Sequence, residues 1–240
     1  MREKIVGILG GMGPEATLYC FDQIIRNTIA KNDQEHLRLI IDSNPKVPDR
    51  TAAILGKGES PVPVLVNSGN ALMKAGADFI IIPCVSAHAF LNELKKGIKI
   101  PILSLFDAVT EFIKQNHPTI NYIGMLATTG TIHSGAFKKR LEQDNIITYT
   151  PSEEDQKKVM EAIYDIKSVL TIANREKIKE KLLKVVNNLI EKGAQGIIAG
   201  CTEIPLVLKQ KDLSIPLFDS IFILARAAIK EAGLKPLELS

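Results

Sequence analysis

The sequence predicts an α/β protein of two pseudo-symmetric lobes, each a parallel β-sheet flanked by helices, with the candidate site in the cleft between them. Two observations lead to this fold class: apolar strands alternate with helices, and two halves of about 117 residues resemble each other. Strands that alternate with helices require crossover connections, which are typical of parallel sheets. With 240 residues, 45% of them apolar, the chain is long enough to bury a sizeable core.

The first half of the chain begins with a short apolar run and a glycine-rich turn, followed by a helix from Pro14 to about Ala30. Proline suits the first turn of a helix, where its missing N–H would be unpaired anyway. Residues 42–60 are rich in Pro, Gly and Asp and are expected to form a long loop, and loops of this length are often functional. Further helices are expected at Val62–Lys74 and after Ser86. Strands are expected at Lys4–Leu9, Leu37–Ile41, Phe79–Ile82 and Ile100–Leu103.

The second half continues the same alternation. Its strands are expected at Tyr122–Leu126, Ile146–Tyr149 and Ile197–Ala199. Its helices are expected at Asp107–Asn116, at Ser134–Gln143, from Ser152 onward, at Asn174–Lys192 and at Ser220–Glu231. We expect the last helix to return to the first lobe, so the lobes are placed at residues 1–103 plus 215–240 and at residues 104–214.

The two halves repeat each other at an offset of 117 residues. Gly76 stands eight residues before Cys84, and Gly193 stands eight residues before Cys201. We interpret the repeat as one register without a gap from the first strand to the cysteine loop. Because two of only three cysteines fall on equivalent strand ends, chance is a poor explanation. The offset also relates Gly7 to Gly124, Leu9 to Leu126, Gly13 to Gly130 and, with a two-residue slip, Ile100-Pro101 to Ile215-Pro216.

Cys84 and Cys201 each follow a strand at the edge where parallel sheets bind ligands. If the two lobes face each other across a pseudo-twofold axis, the two thiols lie on opposite sides of one cleft. Inversion of a stereocentre by proton transfer needs a base on one face of the carbon and an acid on the other. One ionised thiol and one protonated thiol supply both groups. Thr202 and Glu203 are expected to cap the turn after Cys201, and Glu203 is a candidate for proton movement.

Three motifs carry a family resemblance: Gly10-Gly-Met-Gly-Pro-Glu-Ala-Thr17, Pro83-Cys-Val-Ser-Ala-His88 and Gly200-Cys-Thr-Glu-Ile204. Together they resemble the cofactor-independent aspartate/glutamate racemase family, and the aspartate racemase branch in particular. The resemblance covers essentially the whole chain. It implies racemisation of a small dicarboxylic amino acid without pyridoxal phosphate or any other cofactor, in a homodimeric enzyme. It also implies that Cys201 acts on the L-enantiomer and Cys84 on the D-enantiomer.

The resemblance assigns a set of substrate-binding residues. Arg50 matches the family's substrate-binding arginine and Lys167 matches its lysine. A guanidinium grips a carboxylate with two hydrogen bonds, and cations stabilise the negative charge that grows as the α-proton leaves. The other expected substrate-binding residues are Met12, Gly13, Val85, Ser86, Ala87, Thr202 and Glu203.

One departure from the family pattern concerns the two residues after the first cysteine. The family more often has Asn and Thr there, whereas this chain has Val85 and Ser86. Because valine has no side-chain amide, one hydrogen bond to the substrate is missing or comes from the backbone. The loss is worth about 1.5–3 kcal/mol, enough to alter substrate preference. A related isomerase or decarboxylase that uses the same cysteine pair is therefore the alternative function.

A dinucleotide-binding site is a competing interpretation of the glycine-rich turn. Gly11 to Ala16 fits the pattern G-x-G-x-x-A, and Asp42 ends the second strand. The spacing from Gly11 to Asp42 is 31 residues, whereas the acidic residue is expected about 20 residues on. This interpretation also leaves the internal repeat unexplained.

Cys84, Cys201 and the predicted two-lobed architecture are compatible with three further functions. Cys84 and His88, four residues apart, could bind one metal ion together with Cys201, but we expect His88 to pack or cap at the rim of the site and predict no metal. A cysteine hydrolase would leave Cys201 without a role. A two-lobed amino-acid-binding protein would bind its ligand without proton exchange.

The composition excludes several classes of protein. A net charge of +3 is too balanced to indicate a nucleic-acid or membrane-surface partner. No apolar stretch reaches the 18 residues that a membrane span needs. Three cysteines are too few for a disulfide scaffold, and Cys20 is expected in the core. The N-terminal residues indicate a strand and turn, not a signal peptide, so the expected location is the cytoplasm.

Overall fold

The computed structural model describes residues 3–168 and 174–239, and predictions that fall on residues 1–2, 169–173 or 240 lie outside the described residues. The described chain forms two parallel sheets flanked by helices, which confirms the predicted fold class. The first sheet has the order β2-β1-β3 and the second has the order β5-β4-β6-β7. The strands are β1 Val6–Gly10, β2 Leu39–Ser43, β3 Phe79–Ile81, β4 Tyr122–Ala127, β5 Ile147–Tyr149, β6 Gly196–Gly200 and β7 Leu217–Asp219.

Helices connect the strands and cover the sheets. They are α1 Pro14–Asn27, α2 Arg50–Ile54, α3 Val62–Lys74, α4 Leu91–Gly97, α5 Leu105–Asn116, α6 Thr129–Ser134, α7 Ala136–Glu142, α8 Glu153–Lys167, α9 Arg175–Glu191 and α10 Ser220–Glu231. The structure confirms the predicted bounds of α3 and α10 and the predicted start of α8 after Ser152, whose side chain caps the helix. None of the helices within the described ranges is long and apolar enough to cross a membrane.

Three element predictions need correction. The predicted loop over residues 42–60 contains α2, which begins because the Asp49 side chain accepts a hydrogen bond from the Ala52 N–H at 2.7 Å. The predicted helix at 134–143 corresponds to α7, which begins only at Ala136. The preceding helix α6 was not predicted, and Gly135, with a φ of 63°, ends it in a left-handed turn. The predicted strand at 100–103 forms only one bridge, from Ile102 to Ile80.

The strand register confirms the repeat in the centre of each sheet. Gly7 of β1 pairs with Ile80 of β3, and Gly124 of β4 pairs with Ile197 of β6. Both members of the second pair lie 117 residues after those of the first. The two loops that lead into the cysteine strands also match, because Asp78 N–H donates to the Ile5 carbonyl and Gln195 N–H donates to the Tyr122 carbonyl, each at 2.8 Å.

Outside the central strands the offset changes. The Ile80 N–H donates to the Pro101 carbonyl and the Ile197 N–H to the Pro216 carbonyl, both at 2.8 Å, which confirms the predicted two-residue slip. The expectation of a register without a gap is wrong for the second strands. Gly7 pairs with Ile40 but Gly124 pairs with Tyr149, so the offset there is 109. The reason is that α6 and α7 make a shorter connection than α1 and its following loop.

The C-terminal segment links the two lobes. β7 pairs with β6, so residues 217–219 belong to the second sheet, and the predicted boundary at 215 is wrong for this strand. From there α10 packs on α1, as expected for the last helix. Residues 236–237 then bond to the end of α1, where the Leu237 N–H donates to the Asn27 carbonyl at 2.8 Å. Helix α5 makes the equivalent crossing and packs on α7. The remaining lobe bounds stay a prediction.

One apolar cluster joins the two lobes because each sheet sends a helix across to the other. It contains Ile8 and Ile81 from the first sheet, Met125 and Ile198 from the second, and the inward faces of α5 and α10. Phe106 of α5 stacks on Phe137 of α7 with ring centroids 4.5 Å apart. Cys20 is fully buried in this cluster, which confirms its predicted place in the core.

The stacked pair makes a testable contribution to stability. We expect Phe137→Ala to lower the free energy of unfolding by about 3–5 kcal/mol, because it removes a fully buried ring and leaves a cavity between the lobes. Urea denaturation followed by circular dichroism measures this loss. Leu239→Ala near the C-terminus, where the side chain is 46% exposed, is the control and should change the value by less than about 0.5 kcal/mol. Equal losses in the two variants would contradict the assignment of Phe137 to the joining core.

Candidate active site

The carboxyl ends of β1, β3, β4 and β6 surround a small cavity between the sheets. This is the edge at which parallel α/β sheets bind ligands. Most of the residues predicted from sequence meet here. The predicted residues that line the cavity are Met12, Arg50, Cys84, Val85, Ser86, Lys167, Cys201, Thr202 and Glu203.

The two cysteines enter the cavity from different sheets. Cys84 lies three residues after β3, and Cys201 directly follows β6. Each is 5% exposed, and neither forms a disulfide. The thiols therefore share one enclosed space, as their equivalent places in the repeat predict.

Glu203 is a buried carboxylate surrounded by four donors. Its Oε1 accepts from Lys167 Nζ at 2.7 Å and from the Gly13 N–H at 3.1 Å. Its Oε2 accepts from Cys201 Sγ at 3.0 Å and from Thr202 Oγ1 at 3.2 Å. A carboxylate only 3% exposed needs such partners to offset the loss of water.

These contacts change the role expected for Thr202 and Glu203. The two residues are predicted to cap the turn after Cys201, but their side chains bond to each other. The turn is closed by the backbone, where the Ile204 N–H donates to the Cys201 carbonyl at 3.1 Å. Glu203 instead connects the second-lobe cysteine to the first-lobe turn at Gly13 and to Lys167 on α8.

The surroundings shift the ionisation of Cys201 and Lys167 in the same direction for different reasons. Burial, and then the Glu203 carboxylate, raise the pKa of the Cys201 thiol well above its usual value, while Lys167 acts against them. Burial alone would lower the pKa of the Lys167 ammonium, but the charge and hydrogen bond of Glu203, together with Cys201 and Cys84, outweigh it and the pKa is raised. Lys167 is therefore a fixed cation in the cavity, and Cys201 is held as a neutral thiol.

Ser86 lies beside Cys84 in a cluster of three buried hydroxyls. Its Oγ is 3.0 Å from Thr128 Oγ1 and 2.9 Å from Thr131 Oγ1, and the two threonine hydroxyls are 3.1 Å apart. Thr128 also caps α6 by accepting from the Thr131 N–H. The loop that carries Cys84 is thereby tied to the second lobe by neutral groups.

The repeat relates two hydrogen-bonded contacts between the lobes, one made by Ser86 and the other by Glu203. Ser86 and Glu203 are 117 residues apart, and each lies two residues after its cysteine. Ser86 of the first lobe reaches Thr128 in the turn after β4, and Glu203 of the second lobe reaches Gly13 in the turn after β1. Equivalent residues therefore hold each cysteine loop against the opposite lobe, a hydroxyl in the first lobe and a carboxylate in the second.

Arg50 offers unused hydrogen-bond donors to the cavity. Its Nη1 donates to the carbonyls of Val47 at 3.1 Å and Pro48 at 2.8 Å. Its Nε is buried without a hydrogen-bond partner among the described residues. Buried donors are nearly always paired, so this guanidinium fits an anionic group in the cavity.

His88 holds the Cys84 loop from behind the cavity. Its Nε2 accepts from the Leu105 N–H at 3.1 Å, so its proton lies on Nδ1, which donates to the Cys84 carbonyl at 2.9 Å. Burial lowers the pKa of His88 to about 4. The interpretation in which His88 and the cysteines bind a metal is not supported, because both ring nitrogens have protein partners. Within the described chain, no group of three or more His, Cys, Asp or Glu residues could hold a metal ion.

Two predicted residues do not line the main cavity. Ala87 is fully buried in the apolar core behind the Cys84 loop. Gly13 contributes its N–H to Glu203 and faces a neighbouring cavity that Lys167 and Glu203 also line. Val85 does line the main cavity and is also part of the joining core, so an apolar side chain occupies the position where the family more often has an amide.

Several cavity residues were not predicted from sequence. Thr128 lies 117 residues after Gly11, so the repeat could have located it. Asp49 and Thr51 flank Arg50, and Tyr164 lies one helical turn before Lys167. The unpredicted lining residues are Asp49, Thr51, Thr128, Met160, Ile163 and Tyr164.

The fold and the site together define a class: a duplicated, two-lobed α/β protein with one buried thiol from each lobe in a shared cavity. The profile of the Asp/Glu/Hydantoin racemase family matches residues 9–228. The chain therefore belongs to the Asp/Glu/Hydantoin racemase family, as its three motifs predict.

Individual relatives extend over nearly the whole chain. The chain is similar to the aspartate racemase of Picrophilus torridus, with 32% identity, a TM-score of 0.86 and coverage of 98% of this chain and 96% of that one. It is also similar to an aspartate racemase homologue from Pyrococcus horikoshii OT3, with 28% identity, a TM-score of 0.75 and coverage of 96% and 99%. RacX, a broad specificity amino-acid racemase of Bacillus subtilis (strain 168), is 29% identical over 230 residues, which cover 94% of this chain and 96% of RacX.

The buried neutral histidine predicts a pH dependence of stability. Below about pH 6.5 the unfolded chain protonates His88, whereas the folded chain does not until about pH 4. We therefore expect its contribution to be complete above pH 6.5 and to fall by roughly 3 kcal/mol as the pH drops to 4. Urea unfolding at several pH values measures this slope in the wild type and in His88→Asn.

The effect of His88 on acid stability is isolated by comparing His88→Asn with a variant of a different histidine. His88→Asn should reduce the loss of stability between pH 6.5 and 4 by roughly 3 kcal/mol. His133→Asn, at an exposed histidine, should leave that loss unchanged. An unchanged slope in a folded His88→Asn protein would show that other groups cause the acid sensitivity.

Proposed function

We propose that this protein interconverts L- and D-aspartate, and also glutamate, without a cofactor, by a two-base mechanism in which Cys84 and Cys201 are the catalytic residues. The observation that carries the proposal is that two thiols from equivalent strand ends line one cavity together with two cations. Membership of the racemase family and similarity to an aspartate racemase support it.

Arg50 and Lys167 would position a dicarboxylate between the thiols. The unpartnered Nε of Arg50 offers a donor to one substrate carboxylate. Lys167 is already paired with Glu203 and adds a fixed positive charge beside both cysteines. Cations next to the α-carbon stabilise the carbanion that forms when the α-proton leaves.

Proton transfer would then proceed from one face of the α-carbon to the other. The thiolate on one side takes the α-proton, so a C–H bond breaks and an S–H bond forms. The thiol on the opposite side gives its proton to the planar carbanion, so an S–H bond breaks and a C–H bond forms. The configuration inverts, and the two cysteines exchange protonation states.

Val85 bears on the substrate range. At this position an apolar side chain contacts the cavity and makes no side-chain hydrogen bond to a bound amino acid. The similarity to RacX, a broad specificity amino-acid racemase, favours testing neutral amino acids beside aspartate and glutamate.

We further propose that the protein acts as a cytoplasmic homodimer. Three apolar side chains are exposed along one side of α1 and just beyond its end, and they support a surface for self-association. These residues are Leu18, Ile25 and Ile29.

The two-base mechanism predicts distinct effects of the cysteine variants. In heavy water, the wild type should exchange the α-proton of either enantiomer of aspartate for deuterium and racemise it. Cys84→Ala and Cys201→Ala should each abolish racemisation, because one face of the α-carbon lacks a proton carrier, while exchange on one face can survive. Proton NMR and chiral chromatography measure exchange and inversion, and Cys20→Ala at the buried core cysteine is the control.

The result that would refute this mechanism is racemisation by the Cys84→Ala/Cys201→Ala double variant at the wild-type rate. Tight binding of aspartate to the wild type without deuterium exchange would instead indicate an amino-acid-binding protein.

Substrate binding by Arg50 can be tested with a variant that retains the charge. We expect Arg50→Lys to lower kcat/KM for aspartate by about 10- to 100-fold, because lysine cannot replace the planar donor set of arginine, and a hydrogen bond to a charged group is worth about 1.5–3 kcal/mol. Steady-state kinetics should show most of the change in KM. Arg26→Lys, at an exposed position on α1, is the matched control, and an equal effect of the two substitutions would exclude the proposed contact.

A further inference from the structure

The residue two positions after each cysteine breaks the equivalence of the two lobes. In the first lobe this residue is Ser86, and in the second lobe it is Glu203. Both are buried and both contact the opposite lobe. One is a neutral hydroxyl and the other a carboxylate, so the two thiols lie in equivalent positions with unequal electrostatic surroundings.

On the Cys201 side, the hydrogen bonds fix the position of the proton. Glu203 receives four hydrogen bonds, including one from the Lys167 ammonium, and a carboxyl group that only accepts is ionised. Since Glu203 has no proton to give, the 3.0 Å contact with Cys201 requires the hydrogen to lie on the sulfur. A thiolate there would face a fixed negative charge at hydrogen-bond distance.

On the Cys84 side, no carboxylate takes an equivalent place. Within residues 3–168 and 174–239, Cys84 Sγ has no hydrogen-bond partner. The nearby Ser86 hydroxyl is engaged with Thr128 and Thr131. Lys167 interacts electrostatically with both sulfurs, and at Cys201 the Glu203 carboxylate opposes it.

We infer that Glu203 is a positioning residue that keeps Cys201 as a thiol, so that the resting protein presents Cys84 as the base and Cys201 as the acid. This inference rests on the proposed function for its catalytic meaning, since only proton transfer at an α-carbon uses both roles. With the enantiomer assignment that the resemblance implies, the resting form is ready to convert D-aspartate.

The cycle must also restore this state. In the D-to-L direction Cys84 gains the α-proton and Cys201 loses its own proton to the substrate. After product leaves, Cys84 releases one proton to solvent water and Cys201 takes one from it, so the count of protons is unchanged. The L-to-D direction starts from the opposite state and requires this exchange first.

Several charged and titratable groups face Cys201 and influence its ionisation. Glu203 lies on its own loop, Lys167 and Tyr164 on α8, Asp49 and Arg50 at the start of α2, and Cys84 on the opposite loop. Of these, Glu203 is the group in direct hydrogen-bond contact with Cys201 Sγ in the described chain.

The experiment measures alkylation by iodoacetamide on single-site variants across a range of pH. Cys84→Ala leaves Cys201 as the cavity thiol, and Cys201→Ala leaves Cys84. Cys20 is silent in both, because burial, and then Asp219, raise its pKa to about 12. Cys84 and Cys201 have the same residue exposure, 5%, and alkylation of each denatured variant gives the rate of the fully accessible thiol. At about pH 7.5 we expect Cys201 to react at least about tenfold more slowly than Cys84, because a tenfold smaller thiolate fraction corresponds to one pH unit.

Two substitutions in the Cys84→Ala background give the sign of the effect. Glu203→Gln should move the alkylation profile of Cys201 to lower pH by about one to three units, because it removes the neighbouring negative charge. Lys167→Met should move it to higher pH. Opposite shifts distinguish electrostatic control from a packing role, which would move both profiles the same way or neither.

The outcomes separate this inference from the proposed function. Equal alkylation rates of Cys84 and Cys201, or an unshifted profile in a folded Glu203→Gln protein, overturn the inference even if the wild type racemises aspartate. If Glu203→Gln does not fold, the two single-cysteine variants and Lys167→Met decide the matter. Failure of the wild type to exchange the α-proton of aspartate, together with slow alkylation of Cys201, overturns the proposed function and leaves the thiol assignment in place.

Discussion

The parallel pairing of each central strand with the strand that precedes a cysteine is the constraint on which the site depends. Because β1 pairs with β3 in the same register as β4 pairs with β6, Cys84 and Cys201 emerge at equivalent edges of the two sheets. Helices α5 and α10 then cross between the lobes and join the cores, so the two edges face one cavity. A slip of one residue in either pairing would turn a cysteine to the other face of its sheet.

The cavity also shows how a duplicated fold accommodates buried charge. The carboxylate of Glu203 is placed away from water only because donors converge on it from three parts of the chain: its own loop, the turn at Gly13 and Lys167 on α8. Removal of one partner would leave a buried charge unpaired, which is costly. At the equivalent place in the first lobe, hydroxyls satisfy one another and need no counter-ion. The lobes are thus held together by two ties of different chemistry.

The sequence predicts the fold well where local patterns decide the structure. The repeat of glycine, apolar strand and cysteine locates both thiols, and the predicted bounds of α3 and α10 agree with the structure. Short elements are harder. Helix α2 depends on one capping contact of Asp49, and the six-residue helix α6, which ends at Gly135, was not predicted. The partners of Glu203 could not be predicted from spacing, because Lys167 and Gly13 are 36 and 190 residues away in the chain. Ala87 was predicted as a substrate-binding residue from its motif, but the motif does not reveal which side of the loop faces the core.

An unequal pair of thiols is compatible with a reaction whose two sides have equal free energy. L- and D-aspartate are mirror images, so a racemase must have the same kcat/KM in both directions, whatever the resting state of its cysteines. An asymmetry at rest therefore cannot favour one product at equilibrium. It can only change kcat and KM together, because the enantiomer that meets the wrong protonation state binds productively to a smaller fraction of the protein. A carboxylate beside Cys201 and hydroxyls beside Cys84 would thus make kcat and KM differ between the two directions, although their ratio stays the same. The duplicated strands keep the geometry of the two thiols equivalent.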